Sequence, residues 1–340
     1  MIKALLVTLA LLTGSTLFAG SGNLEIYWVD ADGGAATLIV SPNGKSLLVD
    51  TANRRDDNRD ANRILAAAKM AGLKQIDILL TTHYHGDHMG GMDALSTMIP
   101  IAHYMDHGPS VELDRPRVAA VYEAYEKLSK GKRTIVKAGD KIPLEGLDIT
   151  VVQSAGKSIT TPVAGSGAAN ASCATFEEHP PDRDADNDQS VGIIVRFGNF
   201  DFLDLGDLTW NYEKNLVCPA NLLGKIDVYQ TTHHGLDRSN SPQMLQAIDP
   251  VVIVMNNGAT KGGPASVFET FRRGSRLEDI WQGHLALGTP AEVNTNQDMI
   301  ANLGPTEGCE GHTLKLSAAA DGSYTMTNLR NGITKSYQSK

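Results

Sequence analysis

One short segment constrains this chain more than any other: Thr82-His83-Tyr84-His85-Gly86-Asp87-His88. His83 and His85 are two residues apart, so a turn or an extended loop can aim both side chains at one metal ion, whereas a helical ligand face requires positions i and i+4. Asp87 and His88 are displaced far enough to reach a second ion about 3.5 to 4 Å away. A histidine-rich surface loop is the alternative interpretation. The density and order of these side chains favour a dinuclear metal site.

The flanking sequence places this segment between a strand and a helix. The run Ile76–Leu80 is short, apolar and partly β-branched, which predicts a buried strand that Thr81 and Thr82 then leave. After His88, a helical pattern extends to Ile99 and stops at Pro100. The ligands are therefore expected at the carboxyl end of a strand.

A second segment repeats the first. Residues 226–233 align without gaps on residues 76–83, and both runs end in Thr-Thr-His. In this register His233 matches His83, and His234 matches Tyr84. We therefore expect His233 to be the ligand and His234 its neighbour, with the reverse assignment left open.

A third strand pattern, Phe200-Asp201-Phe202-Leu203-Asp204-Leu205, lies between the two halves and runs into Gly206-Asp207. A carboxylate at the mouth of the turn after this strand can bridge two cations. Asp207 is therefore a further candidate ligand.

Together with the strand end Leu47-Leu48-Val49-Asp50-Thr51, these motifs resemble the metallo-β-lactamase fold superfamily. The resemblance implies an α/β fold, a four-layer αββα sandwich, with two divalent ions in a cleft at its edge. It implies Asp207 as the bridging ligand. It also implies that Asp50 orients a ligand histidine, which agrees with the need of a metal-bound imidazole for an acceptor at its other N–H.

Within that superfamily the sequence is similar to the extracellular domain of the bacterial DNA-uptake competence channel and its secreted relatives. The similar pieces are Asp188-Gln189-Ser190-Val191, Leu205-Gly206-Asp207 and Thr232-His233-His234-Gly235. Most enzymes of the superfamily place a third histidine on the first ion, in a Gly-His-Thr turn, where this sequence has Asp186-Asn187-Asp188. We expect that ion to be bound by His83, His85, Asp207 and either an oxygen of this trio, Asn187 or Asp188 included, or water. His179 is a further option.

The expected cofactors are two divalent metal ions, with zinc preferred. An oxygen-richer ligand shell also admits manganese or iron.

The N-terminus predicts export. Lys3 provides a basic end, residues 4–12 an apolar centre, and Leu17-Phe18-Ala19 a small-residue cleavage site, so residues 1–19 are expected to be a signal peptide. The apolar run is shorter than the ~20 residues that a membrane span needs. The mature protein is expected to be periplasmic or extracellular, without a membrane span.

No linker-like segment divides the remainder, so residues 20–340 are predicted to form a single domain. Cys173 and Cys218 are the favoured disulfide pair, although either could instead pair with Cys309. The stretch Ser154–Gln189 has little periodicity and is expected to be a lid or a substrate wall.

The net charge of −9 gives no strong signal for a nucleic-acid-binding surface. The arginines at positions 54, 55, 59 and 63 alternate with aspartates, which predicts local ion pairs at a helix start.

The residues predict a secreted hydrolase that uses a metal-bridging hydroxide, oriented by Asp87, on a small-molecule or oligomeric substrate with phosphodiester or related ester bonds. His107 follows a short strand and is a candidate proton donor, and a structural histidine is an equally acceptable interpretation. A β-lactam or lactone hydrolase is the alternative activity. A non-hydrolytic metal-binding protein is a third possibility. The oligomeric state is left open.

Overall fold

The computed structural model of the protein describes residues 22–163 and 165–340. The predicted signal peptide, residues 1–19, lies outside these ranges. Within them, every helix is too short or too polar to cross a lipid bilayer.

The bounds of the strands and helices are as follows. The strands are β1 (Leu24–Trp28), β2 (Thr37–Val40), β3 (Ser46–Val49), β4 (Ile76–Leu80), β5 (Ile101–Asp106), β6 (Arg133–Ile135), β7 (Lys141–Ile142), β8 (Asp148–Ser154), β9 (Lys157–Ser158), β10 (Gly192–Phe197), β11 (Phe200–Asp204), β12 (Val228–Gln230), β13 (Val252–Met255), β14 (Asp279–His284), β15 (Ile300–Asn302), β16 (Leu314–Ala318), β17 (Ser323–Asn328) and β18 (Thr334–Gln338). The α-helices are α1 (Arg59–Met70), α2 (Gly86–Met89), α3 (Met92–Met98), α4 (Pro116–Ser129), α5 (Trp210–Val217), α6 (Pro242–Ile248) and α7 (Ala265–Phe271). Short 3-10 helices cover Ala171–Thr175, Ala185–Gln189, Thr232–Gly235 and Gln297–Met299.

The strands form two sheets. The first has the order β18-β17-β16-β1-β2-β3-β4-β5-β6, and the second has the order β15-β14-β13-β12-β11-β10-β8-β7 with β9 paired to β8. Each sheet is antiparallel on one side and parallel on the other, with β3-β4-β5-β6 parallel in the first and β11-β12-β13-β14-β15 parallel in the second.

Side-chain alternation along the strands builds the layers. Successive side chains of a strand point to opposite faces. In β13, Val252 and Val254 join a core shared by both sheets, whereas Ile253 and Met255 face helices α5, α6 and α7. In the first sheet, outward side chains such as Leu79 pack with residues of α1, α3 and α4. The layers are therefore helix, sheet, sheet, helix, which confirms the expected αββα sandwich.

The strands and helices predicted around the metal motif are found within one or two residues of their expected ends. The strand Ile76–Leu80 is β4, and the helical pattern expected to extend to Ile99 ends as α3, at Met98. Among the described residues between Ser154 and Gln189, the regular elements are β9 and two 3-10 turns, in agreement with the weak periodicity of this segment.

The two sheets come close together at the edge that carries the motifs. Gly206 has a φ of 58°, and a Cβ on it would lie 2.9 Å from Thr82 Cβ. Only glycine fits such an approach without strain. Backbone hydrogen bonds from Val191 to Thr82 (2.9 Å) and from His233 to Gly206 (3.0 Å) tie the loops of this edge together.

Candidate metal centre

The first group of candidate ligands is His83 and His85, on the extended segment between β4 and α2. His83 Nε2 and His85 Nδ1 lie 2.9 Å apart. Tyr84 points the other way, because neighbouring side chains alternate along an extended chain. It is fully buried beneath the loop, where its hydroxyl donates to the Gly108 carbonyl at 2.8 Å. The extended backbone is thus what aims both imidazoles at one position.

The second group joins both halves of the sandwich. It comprises Asp87, His88, Asp207 and His234, whose potential ligand atoms all lie within 4.8 Å of one another. His88 Nε2 is 3.2 Å from both Asp207 Oδ2 and His234 Nε2. His234 Nε2 is 3.3 Å from Asp87 Oδ2 and 3.3 Å from Asp207 Oδ2. Carboxylates and imidazoles at these separations form a donor set suited to a divalent cation.

Asp207 is the central residue of the site. Its Oδ2 is 3.4 Å from His233 Nε2, in addition to its contacts with His88 and His234. Burial raises the pKa of Asp207, but the nearby His234, His88 and His233 outweigh it and hold the pKa well below the usual value. Burial, together with His88 and His85, keeps the pKa of His83 well below its usual value. Asp207 is therefore ionised and His83 is neutral, the protonation states that metal ligands require.

The geometry favours the reverse of the preferred assignment, since His234 rather than His233 belongs to the four-residue group, while His233 contacts Asp207 from outside it. The chain stays extended after Thr82, but at His233 and His234 it turns with φ of 54° and 56°. Left-handed backbone at both positions changes the side-chain directions and breaks the alignment with His83 and Tyr84. His233 Nε2 is 3.4 Å from the same Asp207 oxygen that His88 and His234 contact, and its Nδ1 is 3.4 Å from Ser239 Oγ.

Asp50 lies behind His88, as the resemblance implied. Its Oδ2 is 2.7 Å from His88 Nδ1 and accepts from Thr82 Oγ1 at 2.7 Å, and its Oδ1 accepts from Thr82 N at 2.8 Å. The contact leaves Nε2 of His88 facing Asp207 and His234. Asp50 therefore orients this imidazole.

The trio 186–188 lies against the first group. Asp186 accepts from the backbone N–H of Tyr84 at 2.8 Å and from Ser110 Oγ at 2.9 Å, so its carboxylate is already used. Asp188 accepts from the hydroxyl of Thr209. Asn187 is buried, its Nδ2 donates to Asp182 at 3.4 Å, and its Oδ1 has no hydrogen-bond partner among the described residues. Of the three, only Asn187 has a buried oxygen to spare.

The structure does not place His107 in the cleft. His107 is buried, its ring centroid is 4.9 Å from that of Tyr84, and its Nε2 is 3.6 Å from Asp186 Oδ2. Tyr84 points beneath the metal loop, and His107 packs there with it. The expectation that His107 faces the cleft as a proton donor is therefore corrected to a packing role.

His179 also lies away from the ligand groups. Its ring packs against Trp210, with centroids 4.1 Å apart.

Two residues at the site carry no sequence signal. Glu112 Oε2 is 3.1 Å from His85 Nε2, although the two residues are 27 positions apart. The Lys261 ammonium donates to Asp87 Oδ2 from the glycine-rich loop after β13. Neither belongs to a motif or a periodic pattern, so only the folded chain identifies them.

Comparisons with known proteins agree with this architecture. Residues 29–169 match the family model of the metallo-beta-lactamase superfamily. Recombination protein 2 of Haemophilus influenzae is 29% identical over 277 residues, which cover 81% of this chain and 29% of that protein. A metal-dependent hydrolase of Cupriavidus metallidurans is 33% identical over 95 residues, which cover 26% of this chain and 29% of the hydrolase. The chain thus spans less than a third of the length of either relative.

Among solved structures, the metallo-beta-lactamase fold protein YhfI from Bacillus subtilis matches with a TM-score of 0.47 and 11% identity, covering 76% of this chain and 96% of YhfI. The disulfide expected between Cys173 and Cys218 is present. The family model matched by residues 29–169, the αββα layers and the His83–His88 motif after β4 together show that this chain resembles the metallo-β-lactamase superfamily and has its fold.

Proposed function

We propose that this chain is a metal-dependent hydrolase whose centre binds two divalent ions and acts on phosphodiester or related ester bonds. The position of Asp207 is the observation that carries the proposal. Its carboxylate lies within 3.4 Å of His88, His233 and His234. The ring of His83 lies 4.0 Å from that of His88, so the two ligand groups adjoin. A carboxylate in contact with His88, whose ring adjoins His83 of the first group, is suited to bridging two cations.

The donor set divides into two parts. His83, His85 and Asp207 would bind the first ion, and Asp87, His88, Asp207 and His234 would bind the second. This set fits divalent metals because it combines imidazoles with carboxylates, and because His88 is already oriented by Asp50.

Asn187 completes the first group in this proposal. Its chain segment runs across that group, since Asp186 contacts the Tyr84 backbone and Ser190 Oγ lies 3.4 Å from His83 Nδ1. The Nδ2 contact with Asp182 turns Oδ1 away from that carboxylate, and Oδ1 has no other partner in the described ranges. A buried oxygen without a donor is costly unless a ligand satisfies it. An amide oxygen in place of an imidazole favours manganese or iron relative to an all-imidazole site.

Two bound divalent ions lower the pKa of coordinated water and polarise the phosphoryl or carbonyl oxygen of a substrate. The chain supplies the rest. Asp50 and Glu112 orient His88 and His85 through their second ring nitrogens. Lys261 provides a positive charge at the rim of the site, beside Asp87, where it can stabilise negative charge that develops on the substrate.

The phosphodiester preference rests on the oxygen at Asn187, and it draws support from the long alignment with a protein named for recombination. The test is hydrolysis of bis-p-nitrophenyl phosphate by protein loaded separately with zinc and with manganese, with Asp207→Ala as the inactive control. We expect turnover that the control lacks and two ions per chain by mass spectrometry of the metals. Turnover of lactam or lactone substrates alone would transfer the assignment to those bonds, and one ion or fewer per chain would contradict the binuclear centre.

We also propose that the protein is exported. The charged and apolar N-terminal pattern supports this, and a disulfide between Cys173 and Cys218 is typical of oxidising compartments. Mass spectrometry of the protein purified from its producing cells should find a new N-terminus near residue 20. An intact Met1 in a cytosolic fraction would contradict export.

A further inference from the structure

A cavity of about 380 Å³ opens beside the metal centre, between residues 179–183 and the turn that begins α5. Three contacts show that it borders the centre. Thr209 follows Asp207 by two residues and bonds Asp188. Asp182, on the cavity wall, accepts a hydrogen bond from Asn187.

The third contact joins the loops that follow the candidate ligands. Trp210 N donates to the carbonyl of Arg238 at 3.1 Å. Arg238 itself lies four residues after His234. The lining residues of the cavity therefore contact or closely follow residues of the metal centre.

One wall of the cavity is aromatic. The rings of His179 and Trp210 pack with centroids 4.1 Å apart and an interplanar angle of 53°. His179 is anchored from both sides by Asn211, which accepts from its N–H at 3.0 Å and donates to its carbonyl at 2.8 Å. The indole Nε1 of Trp210 is buried and has no acceptor in the described part of the chain. Such a wall favours a flat ring with an acceptor atom.

The cavity is also lined by positively charged side chains. Arg183 and Arg238 both line it, together with one carboxylate, Asp182, which pairs with Arg238 at 3.0 Å; Arg238 also lies 3.8 Å from Asp184, which is not among the lining residues. Arg183 forms no ion pair with any carboxylate in the described ranges. The surplus is one positive charge in a chain whose net charge is −9.

The arginines near α1 do not share this property. Arg55 and Arg59 pair with Asp60, which is the local kind of ion pair that the sequence predicted, and they and Arg63 also pair with Asp32 and Asp30 from the segment after β1. A guanidinium without a carboxylate partner next to an aromatic wall is suited to recognising an anion attached to a ring.

We propose that this cavity binds the non-leaving side of the ester substrate, and that this side carries a planar ring with a further negative charge. The inference rests on the proposed hydrolytic function and names the substrate class of that same site. The ring packs on Trp210 and His179, and the added anion pairs with Arg183 and Arg238. The segment 179–183 is thereby the part of the stretch Ser154–Gln189 that contacts substrate.

The experiment compares four phosphodiesters that share the p-nitrophenolate leaving group. The other ester group is methyl, phenyl, thymidine-5′-yl or thymidine-5′-yl with a 3′-phosphate. Because the bond that breaks is the same, differences in kcat/KM report the non-leaving side. We expect the ring-bearing esters to exceed the methyl ester by about tenfold, mainly through KM, and the 3′-phosphate to add a further severalfold gain. A preference for thymidine over phenyl would identify a heterocyclic rather than a simple aryl source.

Variants assign these differences to the cavity. Trp210→Ala should bring the ratio of kcat/KM between phenyl and methyl esters close to one, and Trp210→Phe should restore part of it. Arg183→Ala, at an exposed position where folding is not at risk, should remove the gain from the 3′-phosphate. Arg272→Ala, which removes a surface guanidinium over Phe268 on α7, is the matched control and should keep both ratios.

The outcomes separate the two proposals. Equal kcat/KM for methyl and ring esters, or ratios that Trp210→Ala and Arg183→Ala leave intact, would overturn the cavity assignment while the hydrolytic function stands. Absence of turnover for all four esters with either metal would overturn both.

Discussion

Strands β4 and β12 lie in different sheets, yet both end in Thr-Thr-His at the same edge of the sandwich. After Thr82 the chain remains extended, so His83 and His85 face one position and Tyr84 is buried beneath the loop. After Thr232 the chain turns through two left-handed residues, so His234, the counterpart of Tyr84, points into the site. The same tripeptide therefore presents its aromatic neighbours in opposite ways.

The difference shows that the strand sets the position of each Thr-Thr-His segment, and that the turn after it sets the direction of the side chains. The strand ladder brings both segments to one edge, because parallel strands end there in register. The sign of φ just after the strand then decides which ring joins the candidate ligands. Each of the following experiments tests one side of this comparison.

Replacing Asp207, which we propose binds both ions, should have the largest effect. Asp207→Ala should lower turnover of bis-p-nitrophenyl phosphate by at least about 1,000-fold and reduce the bound metal, because the bridge between the two groups is removed. Metal content and rate should be measured on the same preparation. Asp201→Asn, on β11 with an ion pair to Arg196, is the control and should keep both ions. If Asp207→Ala retained two tightly bound ions, Asp207 would not be the ligand that connects the two groups.

The paired variants His234→Ala and His233→Ala test the turn directly. His234→Ala should lose one ion per chain and about 100-fold or more in turnover, because His234 is one of the four residues of the second group. His233→Ala should keep both ions, since His233 lies outside that group. Metal titration of the two purified variants decides between them. The reverse result would restore the register that the sequence alignment suggested.

A variant of Asp50 tests whether this carboxylate is needed to orient His88. Asp50→Ala should weaken metal binding about 10- to 100-fold, because His88 loses the acceptor that orients it. Competition with a chelator measures the change. Asp77→Ala, which removes a carboxylate from β4 outside the site, is the matched control. Equal affinity in Asp50→Ala and wild type would show that packing alone orients His88.

The first half of the site could be predicted from the sequence because its ligands are consecutive. His83, His85, Asp87 and His88 follow a strand whose bounds, Ile76–Leu80, are evident from a short apolar run. Asp207 could be predicted in the same way, since a strand precedes it. The positions of these residues follow from the strands that precede them, and those strands can be recognised from the pattern of apolar residues.

The remaining features depend on long-range or conformational details. Whether His233 or His234 points inward depends on backbone torsion at two non-glycine positions, which residue type does not reveal. Glu112 and Lys261 reach the site from distant loops. The position of His107 was mistaken because a strand end can face either the cleft or the packed side beneath the loop.

Asn187 tests whether an oxygen replaces the third imidazole of the first group. Asn187→Ala should weaken the first ion about tenfold, and Asn187→His should shift the metal preference toward zinc, because an imidazole replaces an amide oxygen. Asp188→Asn is the neighbouring control, since the oxygen of Asp188 is already engaged by Thr209. Isothermal titration with zinc and manganese gives both affinities. An unchanged zinc-to-manganese ratio in Asn187→His would place the fourth ligand elsewhere.

The smallest effect on activity is expected beneath the loop, where the first segment buries Tyr84. His107→Ala removes a ring that packs 4.9 Å from Tyr84, so it should lower the free energy of unfolding by about 1 to 3 kcal/mol. Turnover at saturating metal should fall by less than about tenfold, because His107 does not face the site. Denaturant unfolding and initial rates on the same variant separate the two effects. A larger loss of turnover with unchanged stability would mean that His107 reaches the substrate, and that the two sides of the Thr-Thr-His loop are less distinct than their backbones suggest.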